Sequence, residues 1–456
     1  MRDLFVLAVV YGSLPVILFR PFYGLLVYSW LAFMRPQDMA WGASRVLPLS
    51  QWVAIAMVIG LTLAVGRERL MTLKPQTVLL ILLAGWISLS TVLALVPEMS
   101  GEVYGNYWKA ILMTVLATGL LCDRKRLRLL LLLIAFSIGF LGAKRGLFGL
   151  VRGGVRFDDG PGGFMSDNNS FALALNMILP LLVGLAIVEK NRIVRIAAAA
   201  AAALCLLSIL FTFSRGGFLT LIVVGGLLIW RSKRRLLVGG LLALGLCGFL
   251  FLTSDQITGQ YVERAQTIQN YEEDGSAQGR INAWKTSWRV FLDYPWTGVG
   301  PNNLAAVYQR YSPQEERFRV AHNAYLQLLA ECGLPALLLF VGALGVTWWR
   351  LQRLRDATDL SWVEVQARML QISIAAYVVG SMFLNTAYSE LIYYLMGLSV
   401  GLEVVAESDA AREEGSAEPS APVEAVPWWK QAPARRPAVS SGSSASASPG
   451  WTGGGL

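Results

Sequence analysis

The sequence predicts an all-α polytopic integral membrane protein, with about twelve transmembrane helices and one large insert carrying short amphipathic helices. Three observations predict it. The chain of 456 residues is 55% hydrophobic and only 15% charged, too apolar for a soluble protein of this length. Runs of 15–25 apolar residues follow one another, broken by short basic loops. A backbone in lipid must satisfy its own hydrogen bonds, so these runs are helices.

Residues 4–34 are apolar but broken by Pro15 and by Arg20-Pro21. Each half is short for a crossing and the whole is too long for one, so one or two crossings are open here. Clearer runs follow at 50–66, 75–96, 108–122, 126–143, 169–188, 193–212, 216–230 and 236–252, then at 324–349, 369–386 and 390–405. The first run leads straight into a second, which argues against a cleavable leader. Four scattered cysteines without CxxC spacing predict neither a disulfide framework nor a metal site.

The net charge of +9 is no nucleic-acid signature. Most Lys and Arg lie in short loops, where they set topology. Basic clusters stand at Arg67/Arg69/Lys74, Arg124/Lys125/Arg126/Arg128, Lys190/Arg192/Arg195, Arg231/Lys233/Arg234/Arg235 and Arg350/Arg353/Arg355. Every second loop carries the charge, so those loops are expected inside. The chain then divides into membrane helices at 1–143, an outer loop at 144–168, helices at 169–252, an outer insert at 253–321, helices at 322–405 and a disordered inner tail at 406–456. The tail is rich in Ala, Ser, Pro and Gly and has too little apolar surface to fold. Inside the insert, Ile281, Trp284, Trp288 and Phe291 fall on one face of an amphipathic helix at 279–291, the pattern of a helix lying in the membrane interface.

Candidate chemistry collects on the outer side. His322, the only histidine, sits where the insert meets the next apolar run. An imidazole suits proton transfer near neutral pH. One histidine without a carboxylate cluster builds no metal site, so a general base or acid is the better assignment for it. Asn323 stands beside it, and Glu331 lies on the opposite face of the same helix, where a polar contact to another helix explains it equally well. Lys144, Arg145, Arg152 and Arg156 break the charge rule, and Arg215 stands in a tight turn at a membrane edge. Arg280 opens the amphipathic helix. Guanidinium forks match phosphate oxygens, so Arg215 and Arg280 are the candidate anion ligands, with Lys144 or Arg145 beside them. Contact with lipid headgroups is the plain alternative. Asp167 and Asn168 start a helix; capping explains them, and contact with a sugar is the functional alternative.

These residues resemble a known family. Ser214-Arg215-Gly216-Gly217, Gly279-Arg280 with Trp284, and Ala321-His322-Asn323-Ala324-Tyr325-Leu326 followed by Glu331-Cys332-Gly333 are similar to the O-antigen ligase and polymerase superfamily. Met34-Arg35-Pro36-Gln37 and Ser166-Asp167-Asn168-Asn169 look like its branch of O-glycosylation ligases associated with exosortase A. The resemblance implies a multi-pass enzyme of the bacterial inner membrane, with its active site facing the periplasm and no cofactor or metal. It implies a glycan donor on undecaprenyl pyrophosphate and an acceptor hydroxyl on protein, lipid or glycan. Arg215 and Arg280 would hold the pyrophosphate, and His322 would act on the acceptor. A polymerase of the same superfamily is the first alternative. A lipid-linked sugar transporter is the second, disfavoured because the unusual charges collect at one face rather than at mid-membrane.

Overall fold

A computed structural model describes residues 1–64, 66–230, 239–240, 275–312 and 320–413. Nearly all of the crossing expected at 236–252, the basic cluster at 231–235, the first part of the insert and most of the tail lie outside the described residues. The architecture is that of an all-α membrane protein. Among the described residues, seven helices are long and apolar enough to cross a membrane: α1 (Arg2–Phe19), α4 (Pro75–Val92), α6 (Arg124–Val151), α7 (Asn168–Val188), α8 (Arg192–Phe211), α12 (Ala324–Ala357) and α14 (Glu390–Glu413). Three more apolar helices are shorter: α2 (Pro21–Phe33), α3 (Leu49–Leu63) and α9 (Arg215–Trp230). The runs expected at 108–122 and 369–386 belong instead to α5 (Pro97–Leu120) and α13 (Ser361–Gly380), which carry charges such as Glu98, Glu102, Glu364 and Arg368.

The N-terminal run proves to be two helices. Arg20 adopts an extended backbone (φ −139°, ψ 78°) between α1 and α2. Pro21 then opens α2 at a position where its missing N–H costs nothing. Both helices pack on α3. At the centre stands α7, most of whose residues are buried and which packs on α6, α8, α9 and α13. A helix apolar on every face belongs in such an interior position.

Ion pairs gather four of the basic clusters at one end of the bundle. Arg126 takes Glu68 through bonds of 2.7 and 2.8 Å. Arg128 takes Glu189 in the same way, at 2.7 and 2.8 Å. Lys74 reaches Glu403 at 3.2 Å and Glu407 at 2.7 Å, and Arg350 also pairs with Glu403. These contacts join the starts of α4 and α6 to the later turns of α7, α12 and α14. The other end of the bundle holds the end of α6 and the starts of α7, α9 and α12.

Two features of that other end differ from the sequence expectation. First, α6 does not stop where its apolar run does. It continues through Lys144 and Arg145 to Val151, so both residues lie on its last two turns rather than in the loop expected from 144. The reason is packing: Gly146 lies against the Leu204 carbonyl and Gly149 against the Phe211 ring of α8, and any side chain there would part the helices. Second, the following loop folds into a short hairpin, β1 (Asp159–Gly162) with β2 (Met165–Asp167), antiparallel. Phe164 at its tip meets Phe33 of α2 edge-on, with ring centroids 6.1 Å apart.

The insert contributes α10 (Gly275–Asp293) and α11 (Leu304–Tyr311). The amphipathic helix is present, and its fully buried face is made mostly of small residues. Ala283, Thr286, Ser287 and Val290 are buried, while Trp288 is half exposed. The buried hydroxyls return their hydrogen bonds to their own helix, Thr286 to Asn282 O and Ser287 to Ala283 O, both at 2.9 Å. Small residues let α10 approach α12 closely, with Trp288 left half exposed and Trp284 and Phe291 partly buried.

Candidate active site

The site is built from helix starts. Asp167 caps α7, its carboxylate accepting from Asn169 N (2.9 Å), Ser170 N (3.0 Å) and Ser170 Oγ (2.6 Å). Asn168 and Asn169 then reach across to the turn before α9. Asn168 Nδ2 donates to Thr212 O (3.0 Å), and Ser214 Oγ donates to Asn169 Oδ1 (2.7 Å). Ser214 also accepts from Gly217 N (3.0 Å), so one hydroxyl both caps α9 and ties it to α7. Phe213 takes a left-handed φ of 52°, which turns the chain sharply enough to bring Arg215 to the surface of the bundle.

A cleft of about 550 Å³ opens beside this turn. Three guanidinium residues line it: Arg215 from α9, Arg280 from α10, and Arg156 from the loop before the hairpin. Asn168 and Asn169 supply amides, and Phe213, Ile281, Trp284 and Phe383 supply apolar walls. Arg156 also holds Asp158 at 2.7 Å. Three planar cations, two amides and aromatic faces suit an anion attached to a polar, ring-shaped group.

His322 lies just before α12 and is half-buried. Its φ is 47°, left-handed backbone that a non-glycine residue holds only when its surroundings enforce it. His322 precedes the cap residue Asn323, whose side chain accepts from Tyr325 N and Leu326 N, both at 3.0 Å. Tyr325, one turn further on, donates to Val378 O (3.0 Å) and accepts from Ser381 Oγ (3.2 Å). Ser381 belongs to the 3-10 turn Ser381–Phe383, whose Phe383 lines the arginine cleft. Histidine and cleft thus share one short structural neighbour at the same end of the bundle, although His322 is not among the cleft's lining residues.

The other sequence candidates lie elsewhere. Lys144 is exposed and outside the cleft. Arg145 turns to the hairpin, donating to Asp159 O and lying over the rings of Phe157 and Phe171 at 5.3 and 5.1 Å. Asn323 is a helix cap. Glu331 is buried within α12, where Gln327 of the same helix donates to it at 3.4 Å and Tyr388, in the turn before α14, donates at 2.8 Å.

Glu331 precedes a break. Gly333 has φ 79° and ψ −179°, so α12 is two helical pieces joined at one positive-φ glycine. The loop after α10 fits into the break through backbone bonds: Val299 N to Ala330 O (3.1 Å), Gly300 N to Glu331 O (2.8 Å) and Leu334 N to Pro295 O (2.9 Å). Ser90 Oγ of α4 fastens the other side, on Thr297 O at 2.7 Å. A Cβ at position 333 would overlap the Trp296 carbonyl. This joint sets the direction of the segment that follows His322.

Arg156 stands out less in the sequence than Arg215, and Phe383 does not stand out at all. Arg156 carried a signal, a cation on the side that the loop charges disfavour. Phe383 carried none, being one apolar residue inside an apolar run.

An all-α membrane protein with an arginine-lined cleft beside a constrained histidine defines the class. Residues 200–341 match the family described as O-Antigen ligase, which places this part of the chain in the O-antigen ligase superfamily. That span contains Arg215, Arg280 and His322 together. Residues 1–175 match a family of unknown function, DUF5935, which spans Met34-Arg35-Pro36-Gln37 and Ser166-Asp167-Asn168-Asn169. No curated protein matches the chain.

Proposed function

We propose that this membrane enzyme of the O-antigen ligase type transfers a glycan from undecaprenyl pyrophosphate to an acceptor hydroxyl at the periplasmic face of the inner membrane. The observation that carries the reading is the convergence of Arg156, Arg215 and Arg280 on one cleft, next to the segment that holds His322. His322 takes the proton from the acceptor hydroxyl. The freed oxygen attacks the anomeric carbon as the bond from that carbon to the pyrophosphate oxygen breaks. The electron pair leaves with the lipid pyrophosphate, whose growing negative charge the guanidinium groups stabilise. A single displacement inverts the anomeric centre. Asn168, Asn169 and Trp284 offer the sugar amides and an aromatic face. Ser or Thr of exported proteins are the acceptors that the resemblance at Met34–Gln37 and Ser166–Asn169 favours. Extension of the glycan itself is the second reading, since the same cleft would serve a polymerase.

The test is transfer in reconstituted vesicles with purified lipid-linked donor. His322→Ala should lower transfer by about two to four orders of magnitude, the worth of a general base, while the protein stays folded. Full transfer by this variant would remove His322 from the mechanism. Comparing glycans on exported proteins, lipids and free polymer, with and without the gene, separates ligase from polymerase.

A further inference from the structure

A second cavity lies at the opposite end of the bundle, between the starts of α6 and α13 and the end of α7, and measures about 400 Å³. Its floor is apolar, made by Leu127, Leu131, Leu185 and Val188. Its rim is cationic. Arg128 is neutralised by Glu189, but Arg124 and Lys190 have no carboxylate partner among the described residues. Arg124 lies over the Trp362 ring, 4.2 Å from its centroid, which holds the cation at the mouth. Two polar atoms of the lining, Trp362 Nε1 and Gln366 Oε1, are buried without a hydrogen-bond partner among the described residues. An apolar floor with unmatched polar atoms and a cationic mouth calls for an amphiphilic occupant.

We propose that this cavity binds an anionic phospholipid of the leaflet opposite the arginine cleft. Arg124 and Lys190 take the phosphodiester, Trp362 and Gln366 face the headgroup, and the leucine floor takes the first part of an acyl chain. Basic pockets between membrane helices hold anionic headgroups in this way. A free phosphate matches the rim but leaves the floor unused. The glycan donor is excluded by position, since α7 alone separates the two sites by about 30 Å.

The experiment is native mass spectrometry of the full chain in detergent, titrated with phosphatidylglycerol, chain-matched phosphatidylcholine or inorganic phosphate. One phosphatidylglycerol per chain should be retained about tenfold over phosphatidylcholine. Arg124→Ala with Lys190→Ala should bring it to the phosphatidylcholine level, and Lys190→Ala alone, on an exposed side chain, should lower it about threefold. Arg152→Ala, at the other end of α6, should change nothing. Equal retention of the two lipids, or undiminished retention by the double variant, overturns the proposal. Displacement of the lipid by inorganic phosphate overturns it too, and assigns the rim to a free anion.

Discussion

At the scale of single residues, charge and backbone conformation carry the argument. Arg215 was legible because a cation in a turn a few residues long, at a membrane edge, needs a reason to be there. Arg280 was legible from its place at the head of an amphipathic helix. Their convergence with Arg156 was not, because the three are far apart in sequence and only folding sets their separation. If they grip a pyrophosphate as forks, Arg215→Lys and Arg280→Lys should each weaken donor use by about tenfold or more despite the retained charge. Initial rates over a range of donor concentrations read this directly, and wild-type rates in both variants would reduce the arginines to headgroup contacts. His322 shows the other kind of information. Its identity was visible, but its left-handed backbone was not, since no local pattern marks it.

At the scale of elements, periodicity and packing disagree where glycine or small residues intervene. The apolar run of α6 ends near residue 143, yet the helix runs on to Val151, because Gly146 and Gly149 let it lie directly on α8. In α10 the aromatic stripe, read as the side that meets the membrane interface, leaves Trp288 half exposed, and Ala283, Thr286, Ser287 and Val290 are buried. Close approach to α12 selects small side chains there. The break in α12 gave no periodic signal either, since one residue of 34 is non-helical. It makes a strong prediction. Gly333→Ala adds a Cβ where the Trp296 carbonyl already lies and imposes a left-handed φ on a side chain. A loss of about 3 kcal/mol or more is expected, seen as a lower melting temperature in detergent and, with the joint displaced, a loss of transfer. An unchanged melting temperature would mean that the loop at 294–301 does not depend on the break.

At the scale of the whole molecule, the sequence by itself determined the class and predicted which loops share a side of the membrane. An excess of apolar residues forces helices because lipid offers the backbone no hydrogen bonds, and alternating loop charge sorts their ends into two groups. The ion pairs of Arg126, Arg128, Lys74 and Arg350 fall at one end and the arginine cleft at the other, in keeping with that sorting. In a cysteine-free background, Asp158→Cys and Lys190→Cys should therefore react with an impermeant maleimide from opposite sides of intact cells, Asp158→Cys from outside. Labelling of both from one side would dismantle the orientation. Only the tertiary structure decided which of the candidate residues form one cleft, which merely cap helices, and which turn away. Asp167 caps a helix, Arg145 contacts the hairpin and Glu331 bonds to Tyr388 in the turn before α14, while Arg156 and Phe383 line the cleft. The physical reason is range. Hydropathy and loop charge act through solvent and are written locally along the chain, whereas a site is fixed by contacts between separate segments, such as Asn168 with Thr212 and Tyr325 with Ser381, which no local pattern records.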